Sequence, residues 1–281
     1  MKRTNIAARK AAGKILAYVT LTLCLIMTLF PLFWITVTSF KNKIDFTAYP
    51  PKFLNFNFTF NAYRQVFVED KFINNILNSI IVVFGSLFLS TVLAIPAAYA
   101  TARRKGSFFE QASFFIISLR LLPQVAVILP MYFIFRTMGL LDTHLSLILM
   151  YTLMNLPLAM WLNKIFIAEI PYQIEEAAML DGYSFWQILF KTILPMAKPG
   201  IIATMILNFM TTWNEFMYAN LLGSLGAKTA PIAAVAYVGV REVRWAETCA
   251  ASVVIIVPTI IVLLLVQKHL VRGLTFGSVK G

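Results

Sequence analysis

The stretch EEAAMLDGYSFWQILFKTILP, residues 175–195, interrupts a very apolar chain with acids, alanines and a glycine at fixed intervals. Just before it, Pro171 suits the first turn of a helix, where its missing N–H costs nothing. The residues from Tyr172 to Asp181 are mostly good helix formers. Gly182 favours the left-handed conformation in which helices commonly end. The sequence therefore predicts a short helix that stops at this glycine.

A second helix is predicted directly after this turn. Ser184 is followed three residues later by Gln187, which is a capping-box pattern. Pro195 and Pro199 are expected to end this second helix. The predicted result is a helical hairpin over residues 169–199, with a tight turn between its two helices.

The composition places the chain in a lipid bilayer. Of its 281 residues, 59% are hydrophobic and 13% are charged, whereas a soluble domain carries about 25% charged residues. The net charge is +12. The basic residues fall mostly between apolar runs, which is typical of membrane orientation and disfavours nucleic-acid binding.

The sequence contains no pattern for metal or nucleotide chemistry. Cys24 and Cys249 lie far apart inside apolar runs, and there is no Cys/His cluster, phosphate-binding loop, dinucleotide fingerprint or HExxH motif. We therefore predict no catalytic residues, no metal site and no cofactor bound by this chain. Any energy source is expected on a partner.

Six apolar stretches are long enough to cross a membrane, which needs about 20 residues. They are residues 15–38, 73–100, 109–135, 145–168, 200–222 and 247–268. We therefore predict an all-α membrane protein with six transmembrane helices, built as a single domain over residues 1–281.

Lysine and arginine predict the orientation of these spans. They concentrate before span one, between spans two and three, between spans four and five, and after span six. These residues are Lys2, Arg3, Arg9, Lys10, Lys14, Arg103, Arg104, Lys105, Lys191, Lys198, Lys268, Arg272 and Lys280. With six spans these segments share one side, which the positive-inside rule makes cytoplasmic. Both termini and the hairpin are thus predicted to face the cytoplasm.

The hairpin has features of a docking element. Ala177 and Ala178 have almost no side chain, so a partner can approach closely, while Glu175, Glu176 and Asp181 can meet basic groups on that partner. The alternative is an amphipathic helix lying on the lipid surface. Because such helices favour Lys and Arg on their polar face, the three acids favour docking on another protein.

Polar residues in the fifth predicted span indicate a solute pathway. Three- and four-residue spacing places one set on a common helix face: Asn208, Thr211, Thr212 and Glu215. Trp213 and Asn214 lie beside that face, and Tyr151 and Asn155 form a weaker polar pair in the fourth span. An aromatic ring with amides and hydroxyls suits a sugar. The alternative is that these residues hydrogen-bond the helices to one another. Arg120, in the third span, is a conceivable partner of Glu215.

The hairpin sequence resembles the EAA loop of ABC-importer membrane subunits. That pattern is EAA, three residues, Gly, nine residues, Ile, one residue and Leu-Pro. Glu176-Ala177-Ala178, Gly182 and Leu194-Pro195 fall in register, while Thr192 stands where the pattern has Ile. The chain also resembles the carbohydrate-importer permeases of the maltose-system type along nearly its full length. The segments that support this are PLFWITVTSFK, NSIIVVFGS, AAYATAR, LPMYFIFRTMGLLDT, WNEF and GLTFGSVKG.

The resemblance implies that the hairpin provides a coupling helix that docks on an ATP-binding cassette ATPase dimer, which would bind ATP and Mg. Together with the acids of the hairpin and its Leu-Pro helix end, the predicted coupling residues are Glu175, Glu176, Ala177, Ala178, Asp181, Gly182, Leu194 and Pro195. The resemblance further implies a sugar or polyol as solute, an extracytoplasmic sugar-binding protein, a second, related permease subunit and the cytoplasmic (inner) membrane. The alternative function is an ion-gradient-driven symporter with Glu215 as its ion site.

Overall fold

The computed structural model describes residues 2–50, 52–104, 106–239 and 243–275, and these residues are mostly helical. The α-helices are α1 Lys2–Thr38, α2 Lys43–Thr47, α3 Asn61–Arg64, α4 Phe72–Arg103, α5 Ser107–Ser118, α6 Gln124–Thr137, α7 His144–Ala168, α8 Tyr172–Leu180, α9 Phe185–Gln187, α10 Leu194–Trp213, α11 Met217–Leu222, α12 Ala230–Val235 and α13 Trp245–Thr275. Within the described ranges, β-type pairing is limited to a single bridge between Val238 and Val243. The predicted all-α class is confirmed.

The chain divides into two compact units. The first comprises the described residues of Met1–Lys71 and Ala234–Val254, and the second those of Phe72–Ala233 and Ile255–Gly281. In the first unit, α1 exposes apolar side chains from Ile15 to Phe33, as a helix surrounded by lipid requires. The loop after α1 is ordered by an aromatic cluster in which the rings of Phe40 and Phe58 stack with centroids 4.5 Å apart.

The second unit is built on the packing of α4, α7 and α10. The buried face of α4 contains the serines Ser79, Ser86 and Ser90, and small residues of this kind let membrane helices approach closely. Helices α7 and α10 also approach closely. Gly200 of α10 lies against the ring of Phe166 of α7, and a Cβ added to this glycine would clash with that ring. The three helices therefore form the frame from which the shorter elements project.

Among the residues that the structure describes, five helical segments are long and apolar enough to cross a membrane. They are Gly13–Thr38, Phe72–Arg103, His144–Ala168, Phe185–Trp213 and Trp245–Leu265. A sixth crossing is available if the bent pair Ser107–Leu121 and Gln124–Thr137 counts as one span. These helices correspond to the six predicted stretches, with differences in the third and the fifth.

The third predicted stretch, 109–135, is not a straight helix. Its two halves meet at an angle of 95°. The bend occurs at Leu122, which adopts extended backbone angles (φ −63°, ψ 128°) before Pro123. The ring of a proline clashes with a preceding residue in the α conformation, so the helix ends there.

The fifth predicted stretch, 200–222, is wrong at both ends. Continuous helix begins much earlier, at Phe185, and stops at Trp213. A short non-helical turn follows, and α11 begins at Met217. The stop coincides with Asn214, whose side-chain amide donates to the Met210 carbonyl at 2.8 Å. Asn favours helix ends because its side chain competes for backbone hydrogen bonds.

Candidate functional site

The first helix of the hairpin forms as the sequence predicts. This helix, α8, begins after Pro171 and ends at Leu180, one residue short of the predicted end at Asp181. Gly182 adopts a left-handed φ of +81°. This conformation lets the next N–H, that of Tyr183, turn back to the Ala178 carbonyl at 3.0 Å. The predicted glycine stop is confirmed, and its cause is the backbone conformation.

The second helix of the hairpin begins with the predicted capping box. The Ser184 N–H donates to the Gln187 side chain at 2.8 Å, and both halves of the box are present. The predicted end at Pro195 and Pro199 is wrong, because the chain passes through π-helical residues Ile188–Ile193 directly into α10. Proline lacks its own N–H, but a helix in a membrane protein can continue through it because neighbouring groups satisfy the freed carbonyl.

The two faces of the hairpin differ sharply. Its buried face packs Ala178, Ile188, Leu189 and Ile193 against apolar residues of α4, α7 and α10. The opposite face exposes Glu176, Ala177 and Asp181, together with Leu180, which is 89% exposed. At the end of the motif Pro195 is exposed and Leu194 is half-buried. The motif residues therefore divide between a face that holds the hairpin in place and a face open to a partner.

Glu175 lies on the buried face, not on the surface that the prediction required of a coupling residue. Its side chain is fully buried. Tyr99 donates its hydroxyl to Glu175 Oε2 at 2.7 Å, and Arg103 Nε donates to Oε1 at 2.5 Å. Adjacent helix positions point in different directions, so Glu175 can be buried while its neighbour Glu176 is exposed. Glu175 is therefore occupied by its own chain, and the prediction of a surface role for it is wrong.

A cavity of about 660 Å³ lies in the second unit. Its wall combines methionines and leucines of α6 and α7 with polar groups. Those polar and charged residues are Arg120, Gln124, Thr211, Asn214, Glu215 and Tyr218. A mostly apolar hollow with a few convergent polar groups is the usual form of a small-molecule site. Arg120 and Glu215 both line it, but within the described residues no ion pair joins them.

The eight predicted pathway residues fall into two groups. Three line the cavity: Thr211, Asn214 and Glu215. The other five are buried and absent from its wall: Tyr151, Asn155, Asn208, Thr212 and Trp213. Asn155 donates to the Thr212 hydroxyl at 2.8 Å, which ties α7 to α10. None of this second group lines this cavity, and their contacts fit the alternative of helix-to-helix hydrogen bonding.

Glu215 lies outside the helix on which the sequence placed it. It sits in the turn between α10 and α11, where its carboxylate accepts from the backbone N–H of Tyr218 at 3.0 Å and of Ala219 at 3.2 Å. Tyr151 donates its hydroxyl to the same carboxylate at 2.7 Å. The first N–H groups of a helix have no partner within it, and an acid there satisfies them and complements the helix dipole. Glu215 therefore caps α11 and fixes one edge of the cavity.

Asp142 is a structural residue that the sequence did not single out. It has a left-handed φ of +59°, and its carboxylate accepts from the N–H groups of Leu225 and Gly226, both at 2.8 Å, and of Ala227 at 3.2 Å. Partial burial by itself would raise the pKa of the Asp142 carboxyl, but these backbone donors outweigh it and hold the pKa below its usual range. The loop after α11 is thereby tied to the turn before α7.

Asp142→Asn is expected to destabilise the protein at neutral pH by about 1 kcal/mol, as loss of a capping carboxylate does. Asparagine tolerates the left-handed conformation, so the change isolates the charge. Because the folded pKa is lowered, the stabilisation is present above the unfolded pKa of about 3.9 and is lost as pH falls through the folded value. Thermal unfolding in detergent should show a wild-type advantage at neutral pH that shrinks as the pH is lowered below about 3.9. Asp181→Asn, at an exposed acid, is the control and should leave stability unchanged across this pH range.

Within the described residues, no cluster of three or more His, Cys, Asp or Glu side chains is arranged to hold a metal ion. The two features with functional geometry are thus the exposed face of the hairpin and the polar cavity.

The chain matches the family model described as "Binding-protein-dependent transport system inner membrane component" over residues 90–276. This match covers more than half of the sequence and includes the hairpin and the cavity. The chain therefore belongs to this family of inner membrane components, and it is a permease subunit of a binding-protein-dependent importer.

Relatives align with it over almost their whole length. The sulfoquinovosyl glycerol transport system permease protein SmoH of Agrobacterium fabrum is 33% identical over 271 residues, which are 96% of this chain and 95% of the relative. The trehalose transport system permease protein SugB of Mycobacterium tuberculosis is 34% identical over 263 residues, 92% and 95% of the two chains.

A solved structure has the same fold. A chain of a bacterial ABC transporter involved in the import of the acidic polysaccharide alginate superposes with a TM-score of 0.77. The two chains are 24% identical, and the match covers 91% of this chain and 95% of that chain. The predicted permease fold is confirmed.

Proposed function

We propose that this permease subunit imports a sugar or related polyol, driven by ATP that a separate ATPase hydrolyses. The hairpin docks on that ATPase, a cassette dimer that binds ATP and Mg, and the cavity lies on the solute pathway. The chain itself catalyses no reaction. The observation that most directly supports this function is the division of the hairpin into a buried face and an open, acidic face beside Gly182.

The open face suits a protein partner better than lipid. Glu176 and Asp181 are exposed there, and no hydrogen bond or ion pair within the described residues engages either side chain. Leu180, which lies between them, is 89% exposed, and Trp186 is 57% exposed. A central apolar contact with charges beside it is the usual composition of a protein interface. A surface helix on anionic lipid would instead expose Lys and Arg.

A sugar suits the cavity. Its wall offers a hydroxyl from Thr211, an amide from Asn214 and the ring of Tyr218 among methionine side chains. A sugar has many hydroxyls and an apolar ring face, so it needs both kinds of contact. The printed names of two relatives, transport systems for trehalose and for sulfoquinovosyl glycerol, support the same solute class.

The assembly is proposed to contain three further components. A second, related permease subunit completes the pathway, and an extracytoplasmic sugar-binding protein delivers the solute. Among solved structures, an alginate transporter in complex with a pentasaccharide-bound periplasmic protein has a related fold, with a TM-score of 0.66. The third component is the ATPase dimer on the cytoplasmic side, where the positive-inside rule also places both termini.

Glu176→Lys is expected to reduce the amount of ATPase that co-purifies with the permease by about tenfold, because it reverses a charge at the docking face. The chain should still insert into the membrane, since the side chain is exposed and supports no internal contact. Co-purification from membranes, followed by sugar-stimulated ATP hydrolysis of the intact complex, measures both effects. A panel of neutral and acidic sugars in the same assay identifies the solute.

Glu69→Lys is the matched control. Glu69 is also an exposed acid, but it lies before α4, on the opposite side of the membrane from the hairpin in the predicted topology. This variant should retain the ATPase fully. Undiminished ATPase association in Glu176→Lys would contradict the proposed docking face.

A further inference from the structure

We propose that Glu175, Arg103 and Tyr99 form an anchor that makes the hairpin and the C-terminal end of α4 move as one body, so that motion of the docked ATPase enters the membrane through α4. This inference rests on the proposed ATPase coupling. It assigns Glu175 a positioning role, distinct from that of its exposed neighbour Glu176.

The anchor joins two elements that are distant in sequence. Glu175 lies in α8, whereas Tyr99 and Arg103 lie in the last turns of α4. Both carboxylate oxygens are engaged, Oε2 by the Tyr99 hydroxyl and Oε1 by Arg103 Nε. Arg103 Nη2 also donates to the Ile170 carbonyl at 2.9 Å, just before α8 begins. Arg103 thus hydrogen-bonds both to the residue that precedes the α8 region and to the first turn of α8.

The burial of this anchor sets it apart from an ordinary surface ion pair. The side chain of Glu175 has no exposed area and that of Arg103 is 13% exposed. Exposed ion pairs contribute little, whereas a buried carboxylate is costly unless it is paired and hydrogen-bonded. An apolar residue would fill the same place without that cost. The anchor therefore fixes the orientation of α8 relative to α4, because charge-assisted hydrogen bonds restrict angles as well as distances.

Tyr99 and Arg103 also contact the rings of Phe185 and Tyr172, and most of the remaining hairpin contacts are apolar and fix little orientation. Ala178, Ile188, Leu189 and Ile193 pack on the helices through apolar surfaces, and the hydrophobic effect is non-directional. Apolar packing of this kind permits small sliding movements of helices. Because the anchor joins the two helices, a displacement of α8 also displaces the C-terminal end of α4.

From α4 the movement can reach the cavity. Helix α4 packs along α7 through buried residues such as Val82, which lies in one cluster with Leu147, Met150 and Tyr151. Met150 lines the cavity, and Tyr151 donates to Glu215, which also lines it. A continuous set of buried contacts therefore connects the anchor, α4, α7 and the cavity wall.

Glu175→Gln tests this role, because glutamine keeps the shape and removes the charge. We expect the ATPase to co-purify as with the wild type and ATP hydrolysis to continue, while solute imported per ATP hydrolysed in proteoliposomes falls about tenfold, as loss of a charge-assisted hydrogen bond would give. Glu69→Gln is the matched control, with the same chemical change at an exposed acid outside the hairpin: it should leave both ATPase association and solute imported per ATP unchanged. If Glu175→Gln imports as much solute per ATP as the wild type, the anchor has no coupling role.

A distance measurement separates positioning from mere folding. Spin labels on Leu180→Cys and Arg104→Cys, in a chain whose Cys24 and Cys249 are replaced by serine, report the separation of the hairpin from α4. In the purified permease subunit without ATPase, the wild type should give one narrow distance, and Glu175→Gln should broaden it. A distribution as narrow as that of the wild type would overturn the inference.

Two further variants cover the case in which Glu175→Gln does not assemble. Arg103→Lys keeps the charge but loses the planar fork that reaches Ile170, and Tyr99→Phe removes a single donor. Both should lower the import ratio less than Glu175→Gln would, with Arg103→Lys the larger effect. Unchanged ratios in both overturn the inference. Failure of the wild-type chain to associate with any ATPase would instead contradict the proposed function. The distance measurement distinguishes this outcome from failure of the anchor, because it does not require ATPase.

Discussion

Replacement of Gly182 by valine is expected to reduce coupled solute uptake severely while the chain still inserts into the membrane. Gly182 has a φ of +81°, and a side chain in the left-handed region costs about 1–2 kcal/mol, more for a β-branched residue. A Cβ at this position would meet no atom within 4 Å, so the effect comes from the backbone alone. The turn would shift, and Glu176 and Asp181 would no longer be presented together to the ATPase.

Gly182→Asn is the matched control, since asparagine tolerates left-handed angles. It should retain most uptake, whereas Gly182→Val should reduce uptake by more than about tenfold. A cost of about 1.4 kcal/mol for presenting the hairpin in its docking conformation corresponds to a factor of ten. Uptake and ATP hydrolysis in proteoliposomes, with membrane insertion checked by fractionation, measure the difference. Equal loss in both variants would show that bulk, and not backbone conformation, matters at this turn.

Glu215→Ala is expected to have the second large effect, a loss of at least about 3 kcal/mol in the free energy of unfolding together with loss of uptake. The change leaves the N–H groups of Tyr218 and Ala219 and the hydroxyl of Tyr151 without their acceptor, and each unsatisfied buried group costs about 1–3 kcal/mol. Thermal unfolding in detergent measures the stability, and uptake measures the effect on the cavity edge that Glu215 fixes.

Two variants separate the contributions to this network. Tyr151→Phe removes one donor and leaves the capped helix intact, so it should cost about 1 kcal/mol or less. Glu215→Gln keeps an acceptor oxygen, so its loss of stability should lie between those of Tyr151→Phe and Glu215→Ala. Unaltered stability in Glu215→Ala would show that α11 does not depend on this carboxylate.

The local structure of the hairpin was predictable from its residues. A glycine stop and a capping box depend on a few neighbouring residues, and for that reason Gly182 and the Ser184–Gln187 pair occur as predicted. The prolines were less informative. Pro195 and Pro199 were expected to end a helix, yet helix continues through both, because the environment decides whether the lost hydrogen bond matters.

The roles of the polar residues were not predictable in the same way. Glu175 and Glu176 are chemically identical neighbours, and only the packing of α8 on α4 shows that one is buried against Arg103. Arg103 itself was interpreted only as an orientation signal. Similarly, the spacing of Asn208 and Thr212 predicts a shared face but not whether that face meets a cavity or α7.

The sequence by itself determined the membrane class, the number of apolar stretches and the position of the hairpin, because hydrophobic length, turn chemistry and motif register are local properties. Tertiary structure alone decided the burial of Glu175 and the separation of cavity-lining residues from those that join helices. Each of these depends on which surfaces face each other across more than 50 residues of chain, as with Tyr151 and Glu215, which are 64 residues apart. Side-chain spacing within one helix contains no information about the neighbour that the helix will meet.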